Sequence, residues 1–138
     1  MLGEHVGDSP AHSTGRATSL GLRAAMAFFG HMGVEWNLLA VPRDQLDELG
    51  RWIDFYKQWR HMLHTGHVVH GDAPDPAVRL DGVVSADGSQ ALYRFTQLTS
   101  SVNYPPQSLV LPGLDSKSDY RIRPLDICSD LDLSLIHI

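Results

Sequence analysis

The hydrophobic pattern of the first half of the chain predicts two helices. Over residues 18–30, apolar side chains recur at intervals of three and four, which indicates one helix with a single apolar face. These side chains are Leu22, Ala25, Met26 and Phe29. Thr18 or Ser19 is a suitable N-cap because its side-chain oxygen can accept a hydrogen bond from a first-turn amide. Gly30 is a typical residue at the C-terminal end.

A second, longer helix is predicted from Pro42 to the Thr65-Gly66 pair. Proline is favoured in the first turn, where its missing amide has no intrahelical partner to lose, and Asp44 places a negative charge near the positive end of the helix dipole. The apolar stripe consists of Leu46, Leu49, Trp52, Ile53, Phe55, Tyr56, Trp59 and Leu63. Residues 31–38, between the helices, are predicted to form a loop or a short extended piece.

The second half of the chain has the pattern of a β domain. Residues 71–76 hold two prolines and two aspartates, which is typical of a link between domains. Beyond them the helical period disappears, and Asp87-Gly88 is a typical hairpin-turn dipeptide. Strands are predicted at residues 78–85, 90–98, 108–111 and 120–123. Strands joined by short turns favour an antiparallel sandwich, and so few strands make it an incomplete one.

The opening residues, 3–16, are predicted to form a polar loop that leads into the first helix. Loops of this kind carry functional groups more often than they contribute to a core. His5, His12, Thr14 and Arg16 could hydrogen-bond a polyhydroxylated or anionic ligand. The alternative is that these side chains hold the loop in shape by bonding to its own carbonyl groups.

Composition excludes several classes of partner. The chain has 138 residues, 43% of them apolar, which is enough for a packed core. Its net charge of -5 comes without a basic stripe, which argues against nucleic acid and against an anionic membrane as partners. No apolar run approaches the roughly 20 residues of a membrane-spanning helix. The single Cys128 cannot form an internal disulfide, which favours the cytoplasm.

Four further histidines and three carboxylates are also candidates for chemistry. Every third residue from 61 to 70 is a histidine, and imidazoles at such spacing on a helix could share a metal ion. Gly66 is expected to end the helix within this series, which favours solvated histidines at a helix end. Glu4, Asp8 and Glu35 could act in pairs, since two carboxylates about 5 Å apart suit retaining glycoside cleavage and a wider separation suits inversion. Their separation does not follow from the sequence, and surface roles are the simpler interpretation.

Several short motifs follow one another in a set order. They include Gly3-Glu4-His5-Val6-Gly7, His12-Ser13-Thr14-Gly15-Arg16, Arg23, Phe29-Gly30, Gly33-Val34-Glu35-Trp36-Asn37-Leu38 and Leu111-Pro112-Gly113-Leu114-Asp115. Over residues 1–125 this order resembles the end of the catalytic domain and the following β-sandwich of α-galactosidases of glycoside hydrolase family 36. Glu4, Trp36 and Asn37 depart from the commoner residues of the family.

The resemblance implies a fold that is α/β followed by all-β. Residues 1–72 would be the last unit of a (β/α)8 barrel, a loop and two helices whose preceding strand ends at residues 3–6. Residues 73–125 would be part of a C-terminal antiparallel β-sandwich. The hexapeptide 133–138 resembles translated sequencing-adapter DNA, so residues 126–138 are expected to be a foreign tail.

The resemblance also implies a function. The parent enzyme would be a retaining hydrolase of terminal α-galactosides such as raffinose-type oligosaccharides, without a metal or organic cofactor. Both catalytic aspartates of the family lie upstream of this stretch, so no residue here is expected to be catalytic and the chain alone is expected to be inactive. Gly3, His5, His12 and Arg16 would contact the substrate. The parent enzyme could be a homo-oligomer.

Two other hypotheses stay open at this point. The chain could be a small binding module that uses the histidines of residues 61–70 for a metal, or its β piece for a carbohydrate. It could also be a structural domain without a ligand.

Overall fold

The computed structural model describes residues 3–104, 108–125, 127 and 133–137. Contacts divide the chain into two compact units, the first containing the described residues up to His61 together with Ile127, and the second containing the rest. None of the helices in these described ranges is long and apolar enough to cross a membrane. The predicted division into residues 1–72, 73–125 and 126–138 follows domain boundaries implied by the resemblance and not contacts within this chain, and it stays a prediction.

The first unit begins with a strand, a helix and a second strand. Strand β1 (Gly3–Gly7) and strand β2 (His31–Glu35) are parallel and pair in register from Gly3 beside His31 to Gly7 beside Glu35. Two parallel neighbours need a crossover connection, and helix α1 (Leu20–Ala27) supplies it. The first predicted helix is thereby confirmed, with Ser19 as its N-cap accepting a hydrogen bond of 3.2 Å from the amide of Leu22.

The predictions for the strands of this unit are confirmed in part. The strand that the resemblance placed at residues 3–6 is confirmed as β1, whereas the polar loop predicted for residues 3–16 starts only after Gly7. The short extended piece predicted within residues 31–38 is confirmed as β2. The strand containing His5 and Val6 was expected to be the last parallel strand, but β2 follows it. The physical reason is that β1 has only one fully buried apolar residue, Val6, and both strands depend on a partner that is distant in sequence. Short strands without apolar alternation leave little local signal.

The second predicted helix is confirmed as α2 (Arg43–Thr65), which follows a short 3-10 turn at Leu38–Ala40. Phe28, at the end of α1, has no exposed surface and anchors an aromatic cluster with α2. Its ring stacks on Phe55 at a centroid distance of 4.9 Å and meets Trp52 edge-on at 6.3 Å. The Tyr56 hydroxyl donates to the Gly30 carbonyl and accepts from the Met32 amide, both at 3.3 Å. The cluster therefore fixes both α1 and the start of β2 on α2.

We expect Phe28→Ala to lower the free energy of unfolding of the first unit by about 3–5 kcal/mol, because it removes the ring at the centre of this cluster. Leu39→Ala is the control, since the Leu39 side chain is fully exposed and its loss should cost less than about 0.5 kcal/mol. Urea unfolding followed by circular dichroism measures both. Equal losses for the two variants would contradict a role for the cluster.

The second unit contains a five-stranded antiparallel sheet in the order β3-β4-β5-β7-β6. Its strands are β3 (His67–Gly71), β4 (Val78–Val84), β5 (Ala91–Gln97), β6 (Arg123–Leu125) and β7 (Leu133–His137). The predicted strands at 78–85 and 90–98 are confirmed as β4 and β5, and Gly88 turns the hairpin with a φ of 70°. β7 lies in the predicted foreign tail, whose origin stays a prediction.

The other strand predictions for this sheet were wrong or displaced. β3 was not predicted, because it is separated from α2 only by Gly66 and its histidines suggested another role. Residues 108–111 are not a strand. Only Arg123 of the predicted strand 120–123 lies in β6.

Residues 108–122 instead cover one face of the sheet. Leu111, Leu114 and Tyr120 pack on the buried side chains of this face, which are Leu80, Val84, Ala91 and Tyr93. The Tyr93 hydroxyl donates to the carbonyl of Pro112, and burial, together with the nearby Tyr120, raises the pKa of Tyr93 to about 12. The segment is held by the packing of its apolar side chains on the sheet and not by a ladder of backbone hydrogen bonds, and the sequence pattern of these apolar residues is similar to that of a strand.

The β4–β5 turn is organised by Asp87. Its Oδ1 accepts hydrogen bonds from Ser85 Oγ at 2.6 Å, Ser89 Oγ at 2.8 Å and the Ser89 amide at 3.0 Å. The bond from the Ser85 hydroxyl is the main cause that lowers the pKa of Asp87 from 3.8 to about 2, and the two bonds from Ser89 add to it. The ionised carboxylate is thus the form that the folded turn prefers.

We expect the stability that Asp87 contributes to be present above pH 3.8 and to be lost as the pH falls through about 2, because its pKa is lower in the folded state. In Asp87→Asn the thermal midpoint should be lower than in the wild type at neutral pH, and the difference should shrink towards pH 2. Asp119→Asn, at an exposed site, controls for the change in net charge. A difference between wild type and Asp87→Asn that does not vary with pH would contradict this assignment.

Candidate functional site

The parallel register of β1 and β2 brings the carboxyl ends of both strands to one edge. Gly7 lies beside Glu35, so the loop that starts at Asp8 and the segment that starts at Trp36 leave the sheet side by side. In sheets and barrels of parallel strands, ligand sites lie at this edge because the connecting loops converge there. The edge formed by residues 7–8 and 35–36 is therefore the candidate site.

Arg23, on α1, ties the candidate edge together. One guanidinium nitrogen, Nη1, donates to the carbonyl of Gly7, and Nε donates to the carbonyl of Ser19 at 3.4 Å. The guanidinium carbon lies 4.8 Å from the centroid of the Trp36 ring, which is cation–π geometry. A single side chain thus contacts the end of β1, the start of α1 and the residue after β2.

The charge of Arg23 is partly desolvated at this position. Burial lowers the pKa of Arg23, and the charges of Asp8 and Glu48 act in the opposite direction. An arginine stays protonated under such conditions, because its ordinary pKa lies far above neutrality. The candidate edge therefore holds a fixed positive charge.

The loop between β1 and α1 is closed by its own hydrogen bonds. Ser9 Oγ accepts from the Thr18 amide and donates to the Thr18 carbonyl, both at 3.1 Å. The Ala11 carbonyl accepts from the Gly15 amide at 2.7 Å, and Gly15 adopts a φ of 67° that favours glycine. Thr14 also bonds within the loop, since its Oγ1 accepts from the Arg16 amide at 3.4 Å. Internal bonding, one of the two alternatives for this stretch, thus accounts for Thr14.

The predicted substrate contacts fall at three places. His12 and Arg16 are exposed on the β1–α1 loop, and no group in residues 3–104 or 108–125 bonds to either side chain. His5 is exposed in the middle of β1, beside Gly33 of β2. Gly3 begins β1, about 13 Å from Gly7 at the usual rise of a strand. The structure therefore places Gly3 at the end of β1 opposite to the candidate edge. His12 and Arg16 lie on the loop that follows that edge in the chain.

The two faces of the β1–β2 sheet differ. Side chains alternate along a strand, so His5 lies on one face and Val6 on the other. Val6 has no exposed surface and faces α1, whereas His5 is exposed on the face that α1 leaves open. The pairing of Gly7 with Glu35 puts the exposed Glu35 on the same open face as His5. An imidazole and a carboxylate, both able to hydrogen-bond hydroxyl groups, thus share one surface.

The histidine series does not form a metal site. His61 and His64 lie on α2, whereas His67 and His70 lie on β3, because the helix ends at Thr65 as predicted. Among the described residues, no three histidine, cysteine, aspartate or glutamate side chains come close enough to hold a metal ion. His70 has another partner, since its Nδ1 lies 3.0 Å from Asp81 Oδ1. Arg94 Nη2 donates to the second oxygen of the same carboxylate at 3.0 Å.

Arg23 and Trp36 are the members of the site that sequence reasoning did not assign a role. The signal for Arg23 was its position in the first turn of α1. A positive charge there opposes the helix dipole, which indicates that another contact holds it. Trp36 carried no comparable signal, because its contact depends on the register of β1 and β2.

We expect Arg23→Met to lower the free energy of unfolding by about 1.5–3 kcal/mol, because charged hydrogen bonds to two carbonyl groups are lost. Arg23→Lys should recover only part of this loss, since an ammonium group cannot bond in two directions and stack at once. Arg43→Met is the control, because the Arg43 side chain is 87% exposed and its ion pair with Asp47 is worth little. Denaturant unfolding measures all three, and full recovery by lysine would contradict the two-directional contact.

Comparison with known proteins relates both units to one group of enzymes. The sequence profile described as Melibiase matches residues 1–66, and the profile described as Glycosyl hydrolase family 36 C-terminal domain matches residues 78–133. The α-galactosidase of Escherichia coli is 38% identical over 126 residues, which is 91% of this chain and 18% of that enzyme. The chain thus spans less than a fifth of this relative.

Solved structures show the same similarity. A variant of α-galactosidase AgaA from Geobacillus stearothermophilus, solved in complex with raffinose, superposes with a TM-score of 0.82 and 27% identity. The match covers 98% of this chain and 21% of that one. The α-galactosidase of Lactobacillus brevis superposes with a TM-score of 0.80 and 28% identity, over 99% of this chain and 22% of the enzyme.

Proposed function

The chain belongs to glycoside hydrolase family 36, and we propose that it forms one wall of the sugar pocket of a retaining α-galactosidase. The proposed substrates are terminal α-galactosides of the raffinose type, as bound by the Geobacillus relative. Since the chain spans 18% of the Escherichia coli enzyme, the activity is proposed for the whole protein. The 138-residue chain by itself is proposed to be inactive.

The proposal includes the architecture around the two units. The β1–α1–β2–α2 unit would be part of a (β/α)8 barrel, with the open face of β1 and β2 turned to the barrel interior. A parallel strand pair with its crossover helix on one face supports this arrangement. The five-stranded antiparallel sheet would be part of a C-terminal β-sandwich.

The single observation that carries the proposal is the shared open face of His5 and Glu35 near the carboxyl edge of the strands. An imidazole can donate to or accept from a sugar hydroxyl, and a carboxylate accepts from one. His12 and Arg16 would reach the substrate from the loop that follows β1. Gly3, at the far end of the strand, would act at most by leaving space.

Retaining hydrolysis needs a carboxylate nucleophile and a carboxylic acid on opposite sides of the scissile bond. The proposal assigns both roles to aspartates outside this chain and assigns none to Glu4, Asp8 or Glu35. The wall formed here would hold and orient the sugar, and binding energy of that kind favours the reaction by positioning. No step in this scheme calls for a metal or an organic cofactor.

The proposal extends to the cellular location, the partners and the oligomeric state of the whole enzyme. A single cysteine in 138 residues supports a cytoplasmic location. The acidic net charge of -5 argues against nucleic acid or an anionic membrane as a partner. A homo-oligomeric parent enzyme is proposed from the family alone.

A chimera tests the proposed function. Residues 3–125 would replace the matching stretch of the Escherichia coli α-galactosidase, and hydrolysis of a chromogenic α-galactoside would be measured. We expect the chimera to be active and His5→Ala to lower kcat/KM about tenfold, mainly through KM, because a hydrogen bond to the bound sugar is lost. The 138-residue chain alone should show no hydrolysis above background.

Two controls accompany the chimera. His67→Ala, on β3 of the other unit, should leave kcat/KM within twofold. Unchanged kcat/KM in His5→Ala would contradict the assignment of His5, and hydrolysis by the chain alone would contradict the assignment of catalysis to residues outside it.

A further inference from the structure

Gly33 is the residue of β2 on which the ring of His5 lies. The two residues are register partners in the parallel sheet, so their side-chain positions share the open face. A Cβ atom built on Gly33 would lie 2.5 Å from Cδ2 of His5, 3.1 Å from its Nε2 and 3.7 Å from its Cγ. The imidazole thus occupies the space that any side chain at residue 33 would need.

The conformation of the backbone does not explain a glycine at this position. Positive φ angles occur among the described glycines at Gly15, Gly88 and Gly113, and Gly33 is not one of them. Gly3 and Gly7, the other glycines of this face, have nothing within 4 Å of such a Cβ. The atoms nearest to a Cβ at residue 33 thus all belong to the His5 ring, which would have to move if residue 33 carried a side chain.

We propose that Gly33 is a positioning residue that lets the His5 ring lie across β2 and thereby sets which sugar hydroxyl the ring meets. On this face the neighbours of Gly33 along β2 are His31 and Glu35. A ring resting over Gly33 therefore lies between the positions of His31 and Glu35 on this face. His5 and Glu35 then address neighbouring hydroxyl groups of one sugar, and a ring displaced from Gly33 loses that pairing.

This inference rests on the proposed function, in which His5 contacts an α-galactoside. It deepens that function by giving His5 a position that depends on a second residue. A methyl group at residue 33 leaves the chemistry of His5 intact and changes only where its ring can lie. The consequences for binding and for ring position can therefore be measured separately.

The first experiment is a double-mutant cycle in the chimeric enzyme. We expect Gly33→Ala to lower kcat/KM for the chromogenic α-galactoside about tenfold, mainly through KM. In the His5→Ala background the same change should have less than a twofold effect, because the ring is already absent. Gly50→Ala, in α2, adds a methyl group with nothing within 4 Å and should change kcat/KM less than twofold.

Equal losses from Gly33→Ala in both backgrounds would overturn the inference, since the methyl group would then act on the sheet and not through His5. Stability provides a second measurement if Gly33→Ala folds poorly. Adding His5→Ala should raise the thermal midpoint of Gly33→Ala, because it frees the contested space. Failure of that rescue would also count against the inference.

The second experiment does not depend on sugar binding. In the full 138-residue chain labelled at histidine nitrogens, the His5 ring signals are assigned by their absence in His5→Ala. We expect Gly33→Ala to shift these signals and Gly50→Ala to leave them in place. Unshifted signals would overturn the positioning role. A shift in this experiment, with unchanged kcat/KM in His5→Ala, would uphold the positioning of the ring while contradicting the proposed substrate contact.

Discussion

The in-register parallel pairing of β1 and β2 is the constraint on which the first unit depends. Parallel neighbours cannot be joined by a hairpin, so the chain must cross over, and α1 is that crossover. The register also sets Gly7 beside Glu35 and thereby brings two otherwise distant segments to one edge. Arg23 can contact the end of β1 and Trp36 together only because this register holds.

Support for this pairing comes from α2. The rings around Phe28 attach α1 to α2, and the two hydrogen bonds of the Tyr56 hydroxyl attach the start of β2. Close aromatic packing of this kind leaves little freedom for the buried ring. The second unit is built by a different principle, since each of its strands pairs with antiparallel neighbours and residues 108–122 cover one face. The turn that Asp87 organises is held by hydrogen bonds between residues close in sequence, such as the bond from Ser85 to Asp87.

Local features of the sequence were sufficient for part of the fold. Both helices and the β4–β5 hairpin have periodic apolar residues and recognisable caps or turns, and all three were predicted. β1, β2 and β3 are short and have few apolar residues, so they are stabilised by pairing with other strands, and the local sequence pattern does not identify those strands. The same limit applies to the site. His5 was singled out for its chemistry, whereas the contacts of Arg23 and Trp36 and the role of Gly33 follow from register alone.

The space above Gly33 can be filled only once, either by a side chain at that residue or by the ring of His5. In evolutionary terms the two positions are not independent. A lineage that gains a side chain at the position of Gly33 should lose the bulky side chain at the position of His5. Loss of the His5 ring before the change at Gly33 should be tolerated better than the opposite order, because the space is then already free. Paired variation at these two sites would thus record a steric relation between neighbouring strands, separate from any selection for the sugar itself.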